Sequence, residues 1–419
     1  MLQSKLFYKT LKEVPKTAQA TSHKLLLKGG FISQLASGIY TFLPLGTIVQ
    51  KKIEDIIRKE MNAIGCQELF MPSLQPKEIW LKSGRWNTMD PPLFKLRDRH
   101  KKEFALGSTH EEVITDLVKN YITSYKDLPL ALYQIQTKFR NELRFTGGLL
   151  RTREFLMKDL YSFHSDTQDF ERFFKKVLSA YDKIFKQCGL KAIKSEASGG
   201  VFTKQRTCEF QVISDVGEDK INYCPKCEWA ENLEIEKAKK RTKCPQCGAK
   251  LVEKRSIEVG HTFRLGTKYS KAFDLYFVDK NGKKNLVIMG CYGIGVGRLM
   301  ATIVEINNDK DGIIWPEKVS PFTLHLIQLV NKREVAKNCE KLYKKLKEKN
   351  LEVLFDERKD KSPGEKLIES DLIGIPWRIV LSEKTIKKNS FEIRNRKTKK
   401  TSIVKISNLW NCLKKEKII

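Results

Sequence analysis

The feature that most narrows what this chain can fold into is a pair of segments: FRNELRFTGGLLRTREFLMKDLYSFH, Phe139 to His164, and GCYGIGVGRLM, Gly290 to Met300. Around the first, Leu132 to Leu143 and Leu149 to Leu160 alternate well enough for two strands, with FTGG as the turn, so an antiparallel hairpin carrying arginines and a glutamate is expected. The second is a glycine-rich stretch closed by an arginine, in which bare backbone can approach a ligand closely. A GxGxG run alone is more often a structural turn. The two segments in this order can hold a nucleoside triphosphate at both ends.

At 419 residues the chain is too long for one core and suggests two or three domains. With 41% hydrophobic and 31% charged residues it is globular in composition. No run approaches 18 apolar residues and the N-terminal MLQSKLFYKTLKEV lacks an apolar signal core, so no membrane partner is expected and the cytoplasm is the expected compartment. The net charge of +29 favours a polyanionic partner, nucleic acid above all, although many of the lysines also fit ordinary solvated helix faces.

Thr47 to Ile64 places Ile53, Ile56, Ile57, Met61 and Ile64 on one helical face, and after Gly65 the segment CQELFMPSLQP reads as a short strand stopped by proline. A second amphipathic helix is expected over Asp169 to Gln187. Ser195 to Lys254 is Lys-rich, Cys-bearing and poor in long apolar runs, and reads as an insertion. Strands resume with IEVGHTFRLG, and a boundary falls at Trp315 to Pro321. Beyond it, strands and helices alternate, including helices over Glu334 to Lys349 and Pro363 to Ile373, as in a small α/β domain.

Four of the ten cysteines form Cys224-Pro-Lys-Cys227 and Cys244-Pro-Gln-Cys247, a C-x2-C-x16-C-x2-C pattern. That spacing suits a zinc ribbon in which four thiolates enclose one structural Zn²⁺ at about 2.3 Å, with four reduced thiols or an iron–sulfur cluster as the other readings.

Together with GSTHEEVITDLV (Gly107 to Val118), the two opening segments resemble motifs 2 and 3 of class II aminoacyl-tRNA synthetases, specifically the bacterial-type prolyl-tRNA synthetase family, and the resemblance runs over nearly the whole chain. It implies an α+β fold: a class II antiparallel sheet with flanking helices, a small zinc-ribbon-like insertion and a C-terminal α/β anticodon-binding domain. The expected domains are a catalytic part at 1–200 with motifs 1 and 2, an insertion at 201–255, a catalytic part at 256–315 with motif 3, and an anticodon-binding domain at 320–419. The implied reaction is activation of L-proline with ATP and Mg²⁺ to prolyl-adenylate, then transfer to tRNA(Pro), by a homodimer whose interface is built on motif 1.

The same resemblance assigns residues. Arg140 bridges the proline carboxylate and the α-phosphate, and Arg298 lies over the purine near the γ-phosphate. Thr109, Glu111, His164, Gly260, His261 and Cys291 belong to the proline pocket. Glu142, Arg151, Arg153, Phe155, Glu209, Gln211, Gly293 and Gly295 belong to the ATP site. Arg358, Lys366 and Trp377 are candidates for contacting tRNA. The chemistry suits these residue types: the substrate carboxylate and a phosphate must be brought together, and planar permanent cations do that, while no general base is needed for an already ionised carboxylate.

Three departures stand out. The large editing domain usual between motifs 2 and 3 is replaced by the short Cys-bearing insert, which shifts removal of mischarged alanyl-tRNA to a separate editing factor. Ser108 replaces a usual proline, and Cys208 a usual histidine. A synthetase for threonine is the nearest rival enzyme, but its catalytic-site zinc pattern is missing. The rival from another class is a non-catalytic synthetase-like RNA-binding protein.

Overall fold

The computed structural model describes residues 1–419 apart from Thr17, Thr146, Val201 and Lys204. The expected FTGG turn therefore lies partly outside the described residues; Gly147 and Gly148 within it both take left-handed backbone, at φ 68° and 66°. The chain divides into two compact units, residues 36–40 with 53–302, and residues 1–35, 41–52 and 303–419.

Helix α1 (Pro44–Ala63) carries the expected apolar face, with Ile53, Ile57 and Met61 fully buried. It precedes β1 (Gln67–Glu68). Then come α2 (Glu111–Val118), the hairpin β2 (Leu130–Phe139) and β3 (Glu154–His164), and α3 (Thr167–Gln187). Asp166 caps α3 by accepting from the Asp169 amide, and Phe170, Phe174, Val177, Tyr181 and Ile184 pack one face of it inward. β4 (Ile193–Ala197), β5 (Thr207–Ile213), β6 (Asp219–Tyr223), β7 (Ala230–Asn232), β8 (Val252–Gly266), β9 (Ile288–Gly295) and α4 (Val296–Ile306) complete the run.

Among the described residues, these nine strands form one sheet in the order β5-β4-β7-β6-β8-β9-β3-β2-β1. Its pairings are antiparallel except β1 with β2 and β4 with β7. β5 also pairs with the middle of β8, from Ser256 to Thr262, so the strands β4 to β8 close on themselves. The segment 201–255 is thus not separate from the sheet: β5, β6 and β7 are strands of the same nine-stranded sheet, and β8 runs unbroken across the expected 255/256 boundary. Lys-rich sequence misrepresents this region because its core is small, Ile193, Ile221 and Ala230.

The other unit holds a five-stranded sheet. β10 (Leu324–Gln328) lies between parallel neighbours β11 (Val353–Asp356) and β12 (Trp377–Leu381), followed by antiparallel β13 (Ser390–Asn395) and β14 (Thr401–Lys405). Helices α5 (Arg333–Glu348) and α6 (Pro363–Ile373) match the expected segments; α6 starts with a Ser362/Glu365 capping box and ends at left-handed Gly374. The first 35 residues group with this unit and not with the catalytic part expected at 1–200, because Leu2 bridges to Phe355 on edge strand β11 and Gln3 meets His325 Nε2 at 2.7 Å.

Candidate active site and metal centre

Within the unit built on the nine-stranded sheet, a cleft of about 440 Å³ opens over β3, β8 and β9. Phe155, Met157 and Asp159, alternate residues of β3, point into it. Gly293 and Gly295 of β9 leave its floor bare; a Cβ at Gly293 would reach no closer than 3.7 Å to Met157, so these glycines keep space for a ligand and are not demanded by packing. Gly260 differs. Its backbone lines the cleft, but a Cβ there would meet Phe185 at 2.9 Å, so the rings of α3 behind it exclude a side chain.

One end of the cleft is organised around Glu111, which opens α2 and is fully buried. Its carboxylate accepts from Thr109 Oγ1 at 2.6 Å, Arg85 Nη1 at 3.2 Å and Cys291 Sγ at 3.2 Å. Arg85, 4% exposed, also serves Glu112 at 3.0 Å and donates to Tyr269 at 2.8 Å. Beneath lies a closed polar network in which Lys138 Nζ pairs with Asp159 at 2.8 Å and meets His110 Nδ1 at 2.8 Å, while Gln134 and Tyr161 donate to Asp159. Burial and the Lys138 charge push His110 down to about 4, so it is neutral.

At the other end three acids converge. A bulge opposite Phe210 and Gln211 adds Val259 to β8, which lets Glu258 and His261, three residues apart, both face the cleft beside Glu209. Glu209 accepts from Gln211 at 2.8 Å and from Asn232 at 3.0 Å, and Gln211 also reaches Asp219 at 3.0 Å. Burial, reinforced by the neighbouring Glu258 charge, pushes Glu209 up to about 8 and raises Asp219. Burial opposes ionisation of Glu258 too, but Arg298, His261, Arg140 and Arg151 outweigh it and hold its carboxylate below the ordinary range. Ligand atoms of Glu209, Glu258 and His261 lie within 4.8 Å of one another. The two carboxylates offer the hard oxygen donors that magnesium takes, whereas burial holds His261 down to about 4 and it already meets Thr207 at 2.8 Å.

Arginines join the two ends. Arg140 follows β2, its backbone clamped to the carbonyl of Arg153 at 2.8 Å, its guanidinium 5.2 Å from the Phe155 ring. Among the described residues the Nε atoms of Arg140 and Arg298, like those of Arg85, Arg153, Arg378 and Arg394, are buried without a hydrogen-bond partner; those of Arg140 and Arg298 belong to side chains that line the cleft. Arg151 pairs with Glu142 at 3.3 Å and Glu218 at 3.0 Å.

A family model described as the tRNA synthetase class II core domain (G, H, P, S and T) matches residues 94–307, and one described as an anticodon binding domain matches 324–416. The proline–tRNA ligase of Desulforamulus reducens is 35% identical over 556 aligned positions, covering 97% of this chain and 98% of the relative. That of Ehrlichia chaffeensis is 41% identical over 429 positions, covering 99% and 100%. The chain belongs to the proline–tRNA ligase family. The fold agrees with the crystal structure of prolyl-tRNA synthetase from Cryptosporidium parvum complexed with halofuginone and AMPPNP, with a TM-score of 0.77, 20% identity, and 95% and 75% of the two chains covered.

Most residues that the family resemblance singled out do meet in the one cleft: Thr109, Glu111, Arg140, Glu142, Arg151, Phe155, Glu209, Gly260, His261, Cys291, Gly293, Gly295 and Arg298. Three do not line it. His164 is of opposite parity to Phe155 and Asp159 on β3, so it turns to the α3 side, where Nδ1 meets Asp169 at 2.6 Å and the ring packs on Phe170 and Phe173; it is a core histidine and not a pocket residue. Arg153 lies over the Phe145 ring at 4.1 Å, and Gln211 supports Glu209 from behind. The residues that sequence reasoning missed are Arg85, Asp219, Asn232 and Glu258. Glu258 stands within the quoted EVGH segment, but only the bulge turns it inward.

The three residues expected to contact tRNA need correction in this proline–tRNA ligase. Trp377 is 7% exposed in the core of the five-stranded sheet and cannot stack on a base. Lys366, 2% exposed, donates to the Gln328 carbonyl at 2.7 Å, and Arg358 is held by Asp356 at 2.7 Å and Glu369 at 2.8 Å. These side chains build the α6 entry and do not present free cations.

The four cysteines do converge. Cys224 and Cys247 sulfurs lie 3.4 Å apart, Cys227 and Cys244 3.5 Å, and all four within 4.8 Å of one another. Tetrahedral coordination at about 2.3 Å puts sulfurs about 3.8 Å apart, so the set fits one zinc ion. Burial disfavours a thiolate at Cys224, but the Cys227 and Lys226 amides directed at its sulfur bring it down to about 6.

Proposed function

We infer that this chain carries out the ligation of proline to tRNA(Pro) with the residues of this cleft in the following roles. Proline enters the end built on Glu111. Its secondary ammonium meets the Glu111 carboxylate and Thr109, which Arg85 and Cys291 hold in place, and its carboxylate turns to Arg140. ATP occupies the other end, with the adenine against Phe155, Glu142 at its exocyclic amine, and Arg151 and Arg298 on the distal phosphates. The carboxylate oxygen then attacks the α-phosphorus, the bond to the β-phosphate oxygen breaks, and pyrophosphate leaves with its electron pair. Arg140 touches both partners throughout and stabilises the charge that builds between them. Glu209 and Glu258 would hold Mg²⁺, which supplies further neutralisation of phosphate charge. The terminal ribose hydroxyl of tRNA afterwards displaces AMP from prolyl-adenylate.

The observation that carries this reading is a single cleft with a buried acid prepared for a monocation at one end, an acid pair suited to a divalent cation at the other, and partnerless buried arginine donors at both Arg140 and Arg298. Amino-acid-dependent ATP–pyrophosphate exchange with proline, alanine, cysteine and threonine tests it. Proline-specific exchange, lost in Arg140→Ala, is expected; a chain without exchange for any amino acid would be an RNA-binding protein only.

Three further attributions belong to the same reading. The Cys224, Cys227, Cys244 and Cys247 site holds structural Zn²⁺; an apo protein or Cys224→Ser variant with unchanged stability and activity would sink this. The protein is a homodimer, supported by exposed Phe70 (78%), two residues beyond edge strand β1, and by exposed Leu74. It works in the cytoplasm, in keeping with ten cysteines of which none forms a disulfide among the described residues, four of them being the metal set; among the described residues no helix is long and apolar enough to cross a membrane. Clearance of mischarged alanyl-tRNA falls to a separate factor, in keeping with an alignment of 556 positions to the longer relative for a chain of 419 residues.

A further inference from the structure

We propose that the ion held by the four cysteines positions the ATP end of the cleft and leaves the proline end untouched, so that nucleotide affinity depends on metal occupancy. This rests on the zinc reading above and extends it to the acid cluster.

Connectivity carries the argument. Cys224 directly follows β6 and, through Cys227, Glu228 and Trp229, leads into β7, so the first knuckle is the entire β6–β7 connection. The second knuckle leads into β8 at Val252, which pairs with Tyr223, the last residue of β6. Four sulfurs therefore tie together the tips of three neighbouring strands. Each strand runs from that tie to the cleft: Asp219 at the far end of β6, Asn232 at the end of the three-residue β7, Glu258 midway along β8. Asn232 then passes the placement on to Glu209 through its 3.0 Å hydrogen bond. Thr109, Glu111, Arg140 and Cys291 stand on other elements.

Among the described residues, what besides the ion holds these tips is the five-position pairing of β6 with β8 and a small apolar cluster. The buried apolar residue packed with the sulfurs is Leu251, supported by partly buried Trp229 and Ala249. β7 pairs with β6 at three positions and with β4 at two. Both knuckles also place the residue after their second cysteine in the left-handed region, Gly248 at φ 70° but Glu228 at φ 61°, a conformation that a non-glycine residue holds only when its surroundings impose it. Metal binding supplies folding energy at such a site.

The test uses the full chain. Zinc content is measured first by emission spectrometry, then equilibrium binding of AMPPNP with Mg²⁺ and, separately, of proline by calorimetry, for loaded protein, chelator-depleted protein and depleted protein given Zn²⁺ again. AMPPNP affinity should fall at least tenfold on depletion and return with Zn²⁺, while proline affinity stays within twofold. Asn232→Ala, which leaves all four cysteines in place, should weaken AMPPNP alone while zinc content stays at one per chain. Equal loss of both ligands, or unchanged AMPPNP binding in the depleted protein and in Asn232→Ala, overturns the coupling. Protein that never takes up zinc overturns the metal reading itself, which the zinc measurement detects independently of the binding data.

Discussion

The two ends of the cleft handle buried negative charge in opposite ways. At the end where we place proline the Glu111 carboxylate is satisfied within the protein, by Thr109, Arg85 and Cys291, and its geometry is complete before a ligand arrives. At the end where we place ATP, Glu209, Glu258 and Asp219 share too few cations, and two of them are pushed toward the protonated form. One end is prepared for a single positive charge of fixed shape. The other is left electrostatically unfinished, which favours a ligand that brings a divalent cation.

The strongest way to break the comparison is to remove the group common to both ends. Arg140→Ala should lower proline-dependent exchange about a thousandfold, the scale of losing a preorganised charge at the reacting centre. If only the Michaelis constant for one substrate changed, Arg140 would belong to one end and not to both. Arg85→Met tests the completeness of the proline end: it leaves Glu111 and Glu112 buried without their cation, and should destabilise the protein by about 3–5 kcal/mol in urea unfolding. Arg85→Lys should recover most of that stability yet still weaken proline binding, because lysine is one atom shorter and its ammonium falls short of the Nη1 position from which Arg85 meets Glu111, Glu112 and Tyr269.

A paired substitution sharpens the separation. Glu111→Gln should raise the Michaelis constant for proline about ten- to a hundredfold, the value of a charge-assisted hydrogen bond, with that for ATP nearly constant; Glu258→Gln should do the reverse. Steady-state exchange kinetics with each substrate varied in turn read this directly, and equal effects on both constants in both variants would mean that the ends are not separate.

What the sequence revealed follows the same physical division. That Arg140, Glu142 and Phe155, or Gly293 to Arg298, would line one cleft was legible because chain neighbours within one strand or loop stay neighbours in space. Both cysteine knuckles were legible for that reason, and so was the alternation of strands and helices from Leu324 onward. Arg85 was not, since nothing in SGRW signals that it will lie under a helix opening at Glu111. Glu258 required a bulge that no pattern announces, and His164 was misplaced by a single parity step along β3. Lys366 and Arg358 stand in a polar-looking stretch and are absorbed by the α6 entry, while Trp377 opens the apolar run WRIVL and is absorbed by the parallel sheet.

The smallest effect concerns protons and separates the ends most finely. Glu209 is raised to about 8 in the folded protein from an ordinary 4.5. Between those values the folded chain keeps a proton that the unfolded chain has lost, so the contribution of Glu209 to stability is present below about pH 4.5 and disappears as pH rises through about 8. A ligand that brings Mg²⁺ favours the ionised acid and must displace that proton. Apparent affinity for MgATP should therefore rise severalfold as pH increases through 8 and level off above it, with proton release on binding below 8. Calorimetry in buffers of different ionisation enthalpy counts the proton. Glu209→Gln should bind more weakly, release none and show a flat profile over the same range; a Glu209→Gln profile that still rises as the wild type's does would mean that the proton resides on another raised carboxyl of the cleft, Asp219 or Glu234.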